Sequence, residues 1–200
     1  AHRFENSRAV PPDFQKHVVP LISRLGCNGR ACHGSFQGRG GMALSLFGYD
    51  FDADLEALTG ESQSESGKQS EAGKRVDRND PDSSLILLKA TESIDHEGGP
   101  LIEHGSWQYR LLRQWIAAGA SPPKSEQVLL SLEVQPQQVQ WSDLEQSESI
   151  SVTAVWSDGT REDVTGLTRF RTNDDSVVEI GGQGRARAVG FGDTHVIAFY

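Results

Sequence analysis

The 200-residue chain has two cysteines, one methionine and no apolar run long enough to cross a bilayer. So few cysteines cannot build a disulfide-dense scaffold, and a membrane helix would need about eighteen or more consecutive apolar residues. Basic charge is also scarce: 19 Lys and Arg stand against 28 Asp and Glu, for a formal net charge of -9. A polyanion is held by a basic stripe, and none is present, so nucleic acid is excluded as a partner. No cluster of catalytic residue types stands out, and the chain is read as a non-enzymatic module. What remains is a polar, globular composition, 36% hydrophobic and 24% charged, at a length that suits two small domains.

Ala1 opens the chain without a signal peptide or lipidation motif, which reads as a processed or trimmed piece. The apolar, strand-like ending His195-Val196-Ile197-Ala198-Phe199-Tyr200 raises the expectation that the protein continues, and a catalytic region could follow. Composition changes around Ser121-Pro122-Pro123-Lys124-Ser125, so the domains are drawn at 1–124 and 125–200.

In the first part, Phe14, Val18, Leu21, Ile22 and Leu25 share one face of an amphipathic helix ending at Leu25. Pro20 makes its first turn irregular or starts the regular helix near itself. A short helix is expected over 52–58, and the Ser/Gln/Glu/Gly/Lys-rich 61–73 segment reads as a mobile surface loop. Asp80-Pro81-Asp82 signals a helix running to about Thr91, with Leu85, Ile86 and Leu88 inward. Ser106 caps a last helix with the stripe Leu111, Leu112, Trp115, Ile116, which Gly119 ends. The second part alternates: strands are expected over 130–134, 150–156, at Phe170, and over 177–180, 186–189 and 195–200. Ser157-Asp158-Gly159 and Gly181-Gly182 supply hairpin signals, and an antiparallel sandwich follows.

The two cysteines sit together in Cys27-Asn28-Gly29-Arg30-Ala31-Cys32-His33, a C-x4-C-H pattern. In the shorter C-x-x-C-H signature of c-type haem, two thiols add across the haem vinyl groups and the adjacent histidine becomes the proximal iron ligand. The spacing between the second cysteine and the histidine is kept here; Gly29 and Ala31 would let the longer insert bulge. Two other readings compete. A disulfide would leave His33 without a role. A structural zinc could recruit Cys27, Cys32 and two of His33, His96 and His104, although adjacent Cys32 and His33 are awkward as joint ligands of one tetrahedral ion.

The stretch from Cys27 through Gly41, continued by Leu44-Ser45-Leu46-Phe47-Gly48-Tyr49-Asp50, resembles the planctomycete-type cytochrome c domains. So do Asp80-Pro81 with Leu85-Ile86-Leu87-Leu88-Lys89-Ala90-Thr91, His96-Glu97-Gly98-Gly99, and the segment from Gly105-Ser106 to Trp115-Ile116-Ala117-Ala118-Gly119-Ala120. The resemblance spans most of 10–121 and implies an exported, mainly-α, cytochrome c-like domain carrying one covalent haem c. Cys27 and Cys32 would attach it, and His33 would be the proximal iron ligand.

The opposite face of the iron then needs an occupant among Met42, His2, His17, His96, His104 and His195. Met42 lies nine residues after His33, a short route around a haem edge even with four intervening glycines. His96 occupies the loop between the two later helices where related monohaem cytochromes usually present their distal methionine, and it is favoured; His104 in the same loop and Met42 are the alternatives. His17 reads as a surface or edge residue, and His2 and His195 merit no ligand role. Trp115, Tyr109, Leu111, Leu112, Phe36 and Phe47 read as core, some of them lining a haem edge. Arg30, Arg39 and Lys89 read as solvated charges that could also pair with propionates.

Residues 128–200 resemble the bacterial Ig-like domains of group 2, through Leu132-Glu133-Val134-Gln135-Pro136, Ile150 to Ala154, Trp156 to Thr160, Asp163-Val164-Thr165, Asp174 to Ile180 and Gly184 to Ala188. That implies an all-β Ig-like sandwich acting as a spacer or interaction domain. The expectation is thus a multidomain protein: a periplasmic or otherwise exported monohaem electron-transfer module, served by a redox partner protein. The competing functions are a haem-based gas or redox sensor and a zinc-stabilised interaction module.

Overall fold

A computed structural model of the chain describes residues 10–60, 73–123 and 127–200. The chain divides into two compact units, Ala1–Lys124 and Ser125–Tyr200. The segment read as a mobile loop lies outside the described residues, apart from Gly73.

The first unit corrects the expectation of a mainly-α, cytochrome c-like domain. Helix makes up only 27% of the chain and its helices are mostly short. A π-helical turn, Phe14–Val18, leads into α1, Val19–Leu25; α2 spans Phe51–Thr59, α3 Leu85–Ala90 and α4 Trp107–Ala117. Between α1 and α2 the chain is held by turns, in which Gly38, Gly40, Gly41 and Gly48 have positive φ. Helical propagation cannot pass such residues, so periodicity at the helices does not extend to the unit.

Local chemistry accounts for the helix ends. Pro20 sits in the first turn of α1, where its missing N–H is no loss, and the irregular π turn precedes it. Gly26, at φ 82°, closes α1 in the left-handed conformation. Asp50 caps α2 by accepting from the Ala53 N–H at 3.0 Å, and Ser106 caps α4 through the Tyr109 N–H at 3.3 Å. The expected helix from Asp80 is broken: Pro81–Ser83 is a 3-10 turn, Ser84 is extended, and α3 begins only at Leu85. That restart rotates the buried face to Leu85, Leu87 and Ala90, leaving Ile86 and Leu88 half-buried.

The core of this unit joins the first and last helices. Phe14 stacks on Trp115 with ring centroids 5.4 Å apart, and both are buried with Leu21, Leu111, Leu112 and Ile116. Asp82 fastens the 3-10 turn to α4, accepting from Tyr109 Oη at 2.6 Å and from Arg113 Nε at 2.8 Å and Nη2 at 2.8 Å.

The Ig-like sandwich expectation is corrected as well. The second unit is a β-sheet region with three separate antiparallel sheets among the described residues: β1-β3-β4, β2-β7-β6 and β5-β8. The strands are β1 Leu129–Gln135, β2 Ser147–Ser149, β3 Ser151–Trp156, β4 Arg161–Asp163, β5 Arg169–Thr172, β6 Val178–Ile180, β7 Arg185–Ala188 and β8 Val196–Phe199. Several are only three or four residues long. In β3, Val152, Ala154 and Trp156 are buried in strict alternation. Ile150, Val178 and Ala186 form a second core cluster, packed by Val134, Trp141 and Phe170. Both hairpin signals fall where they were expected, between β3 and β4 and between β6 and β7.

Arg113, and then Tyr109, hold the Asp82 carboxyl down at about 2. A depressed carboxylate stabilises fully above its unfolded value of about 4 and loses that contribution as pH falls through its folded value. Asp82→Asn should therefore lower stability by about 1 kcal/mol near neutrality, allowing for solvent screening. In thermal melts the gap from the parent protein should shrink between about pH 4 and pH 2; a constant gap would contradict the assignment.

Candidate functional site

The Cys27–His33 segment grows directly out of the end of α1. Beyond Gly26, the Cys27 N–H bonds to Ile22 O at 3.1 Å and the Gly29 N–H to Gly26 O at 3.0 Å. The Cys32 N–H then bonds to Gly29 O at 2.9 Å, the His33 N–H to Cys27 O at 2.9 Å and the Gly34 N–H to Gly29 O at 3.1 Å. The four residues between the cysteines are thus a closed, hydrogen-bonded turn that returns His33 to Cys27. Asn28 is its buried centre, 1% exposed, donating from Nδ2 to Ser23 Oγ at 2.8 Å. Gly34 is obligatory: a Cβ there would lie 2.0 Å from the Asn28 carbonyl oxygen. Phe47, held at φ 59°, brings its N–H to the same oxygen at 3.3 Å.

Cys27 and Cys32 are half-buried free thiols. Burial, and then the neighbouring Cys32, push the Cys27 thiol up to about 11, so it is uncharged at neutral pH.

His33 is oriented by main chain. Its Nδ1 lies 3.1 Å from Arg39 O and 3.2 Å from Met42 O, and the Leu44 N–H returns to His33 O at 2.8 Å. Those carbonyls require a proton on Nδ1, which leaves the Nε2 lone pair available; iron- and zinc-bound histidines are held in this way. Burial pushes the imidazole below its ordinary value against the pull of the two carbonyls, and positive charge on His96 or Arg39 adds to that lowering. A neutral ring is the metal-binding form.

His96 is presented from a turn at the end of α3. The Ser93 N–H bonds to Leu88 O at 2.9 Å, Lys89 Nζ donates to Asp95 O at 2.7 Å, and the Gly99 N–H closes on His96 O at 2.8 Å. The His96 ring packs over Gly98, where a Cβ would meet Cε1 at 2.8 Å, and its Nδ1 lies 3.3 Å from Gly99 O. Both imidazoles therefore carry Nδ1 on a backbone carbonyl.

The other candidates are differently placed. His104 is exposed and rests on Tyr109 with centroids 4.5 Å apart, beside Asp82. Met42 forms an isolated bridge with Arg39, its main chain fixed at the Nδ1 edge of His33. His17, expected near the surface, is 2% exposed, with Nδ1 accepting from the Asp13 N–H at 2.7 Å; the π turn rotates it inward. His2 lies outside the described residues, and His195 is exposed in the second unit. Trp115, Tyr109, Leu111 and Leu112 are core, but Phe36 is fully exposed and Phe47 is 61% exposed. Phe47 stands on a turn hydrogen-bonded to Asn28 and Phe36 on the Ser35–Gly38 turn, neither of them in the helical core. Lys89 and Arg39 serve the chain itself, on Asp95 O and on Glu97 at 3.1 Å.

Residues and cofactor chemistry fit at two points: two free thiols carried on one turn, and an adjacent histidine with a fixed tautomer. Among the described residues, no group of three or more His, Cys, Asp or Glu side chains is disposed to hold a metal ion. No protein-family model matches the chain, and no curated protein matches it either.

The Gly34–Asn28 contact yields a paired test. Gly34→Ala should destabilise the protein by more than about 3 kcal/mol, because backbone must move. Gly40→Ala, at φ 56° with no atom within 4 Å, should cost only about 1–2 kcal/mol. Denaturant titrations showing equal losses would contradict this account of the turn.

Proposed function

We propose that the N-terminal unit binds one haem c, attached through Cys27 and Cys32, with His33 as proximal and His96 as distal iron ligand, and that it works as an exported electron-transfer module. The observation that carries the reading is His33: next to Cys32, with Nδ1 on the Arg39 and Met42 carbonyls and Nε2 turned to acceptor chemistry. Bound haem supplies a one-electron iron centre whose potential is set by its axial ligands and by their hydrogen bonds.

The chain's own residues do the rest. The closed Cys27–His33 turn holds both thiols and one imidazole as a single rigid piece. The carbonyls of Arg39 and Met42 fix the His33 tautomer and raise its basicity as a ligand. Gly99 O does the same for His96. Covalent attachment requires thiols kept reduced until ligation, which fits maturation in the periplasm or an equivalent compartment. The second unit, without catalytic residue clusters among its described residues, serves as a spacer or an interaction surface for a redox partner.

Periplasmically produced protein should retain haem through acid–acetone extraction and give a c-type pyridine haemochrome at one haem per chain. Cys27→Ala with Cys32→Ala should abolish it. Loss of haem on extraction from the parent protein would refute covalent attachment. In the ferric state, His96→Met should change the low-temperature EPR spectrum and raise the midpoint potential; an unchanged spectrum would exclude His96, and His104→Ala is the control.

A further inference from the structure

Arg39 contacts His33 and the residue after His96 by different atoms. Its carbonyl oxygen lies 3.1 Å from His33 Nδ1, while its guanidinium Nη1 lies 3.1 Å from Oε2 of Glu97, the residue after His96. It is flanked by Gly38 at φ 65° and Gly40 at φ 56°, and its N–H is tied to Met42 O at 2.9 Å. The main-chain contact is therefore set by turn geometry, and the side chain is left to reach a segment 58 residues away. The glycine-rich His96 turn is otherwise held from within and from α3, by Lys89 to Asp95 O and by the Leu88 carbonyl. Among the described residues, the Arg39–Glu97 pair is the ion pair that fastens the His96 turn to the His33 segment.

We infer that Arg39 is a positioning residue that couples the two axial positions: its carbonyl orients His33 and its guanidinium, through Glu97, holds the His96 turn in place. The inference rests on the haem reading above. With haem bound, the pair would restrain the His96 turn and so limit access of an external ligand such as carbon monoxide. The side chains of the pair are 58% and 86% exposed. Water and salt screen such a pair, so the expected effect is modest, about two- to five-fold in the rate of distal opening.

The test uses the full-length ferrous holoprotein at saturating carbon monoxide, where the binding rate reports dissociation of the distal ligand. Arg39→Ala and Glu97→Gln should each raise that rate about two- to five-fold. The exchanged pair Arg39→Glu with Glu97→Arg should bring it back towards the parent value. Added salt should accelerate the parent protein and leave the single variants unchanged. The midpoint potential separates this role from a merely structural one: removing the cation should lower it, and removing the anion should raise it. Haem present with rates and potentials unaltered in both variants would overturn the coupling. Haem absent from the parent protein would instead overturn the haem reading, and the inference with it.

Discussion

The close approach of Gly34 to the Asn28 carbonyl is the constraint on which the N-terminal unit depends. It closes the Cys27–His33 turn, and only a residue without a Cβ permits it. Once closed, the turn returns the His33 N–H to Cys27 O and allows Phe47 to dock on Asn28. The glycine-rich excursion that follows then brings the Arg39 and Met42 carbonyls back to the imidazole. The order of dependence runs from the left-handed cap at Gly26, through a buried asparagine, to the tautomer of one histidine.

Around this turn, the helices act as fixed posts. The Phe14–Trp115 stack joins α1's approach to α4, and Asp82 ties the α3 lead-in to the same helix. The α3 end in turn carries the His96 loop. His33 and His96, far apart in sequence, are carried on the turns that follow α1 and α3, and the Arg39–Glu97 pair links those two segments.

Much of this organisation could be read from the residues, and the departures have physical causes. Periodicity located α1 and α4, and Pro20 marked where regular helix begins. The break at Ser84 was not legible, because Asp-Pro is as good a start for a 3-10 turn as for an α-helix. A mainly-α domain does not follow from four short helices, since tertiary turns at positive-φ glycines carry no periodic signal. In the second unit, β2 is Ser-Glu-Ser and β4 is Arg-Glu-Asp; polar edge strands lack the alternation that reveals buried ones. The Cys27, Cys32 and His33 cluster was visible in the sequence. The Arg39–Glu97 contact was not, because nothing local pairs residues 58 apart. His17 and Phe36 were misplaced because burial depends on tertiary packing, not on residue type.

The central claim is that the C-x4-C-H turn is a haem attachment site. Tandem mass spectrometry of proteolytic fragments from periplasmically matured protein tests it most directly. The account predicts a single fragment containing Cys27 and Cys32 that carries one haem through both sulfurs. Recovery of that fragment unmodified, with free thiols or a Cys27–Cys32 disulfide, would contradict it.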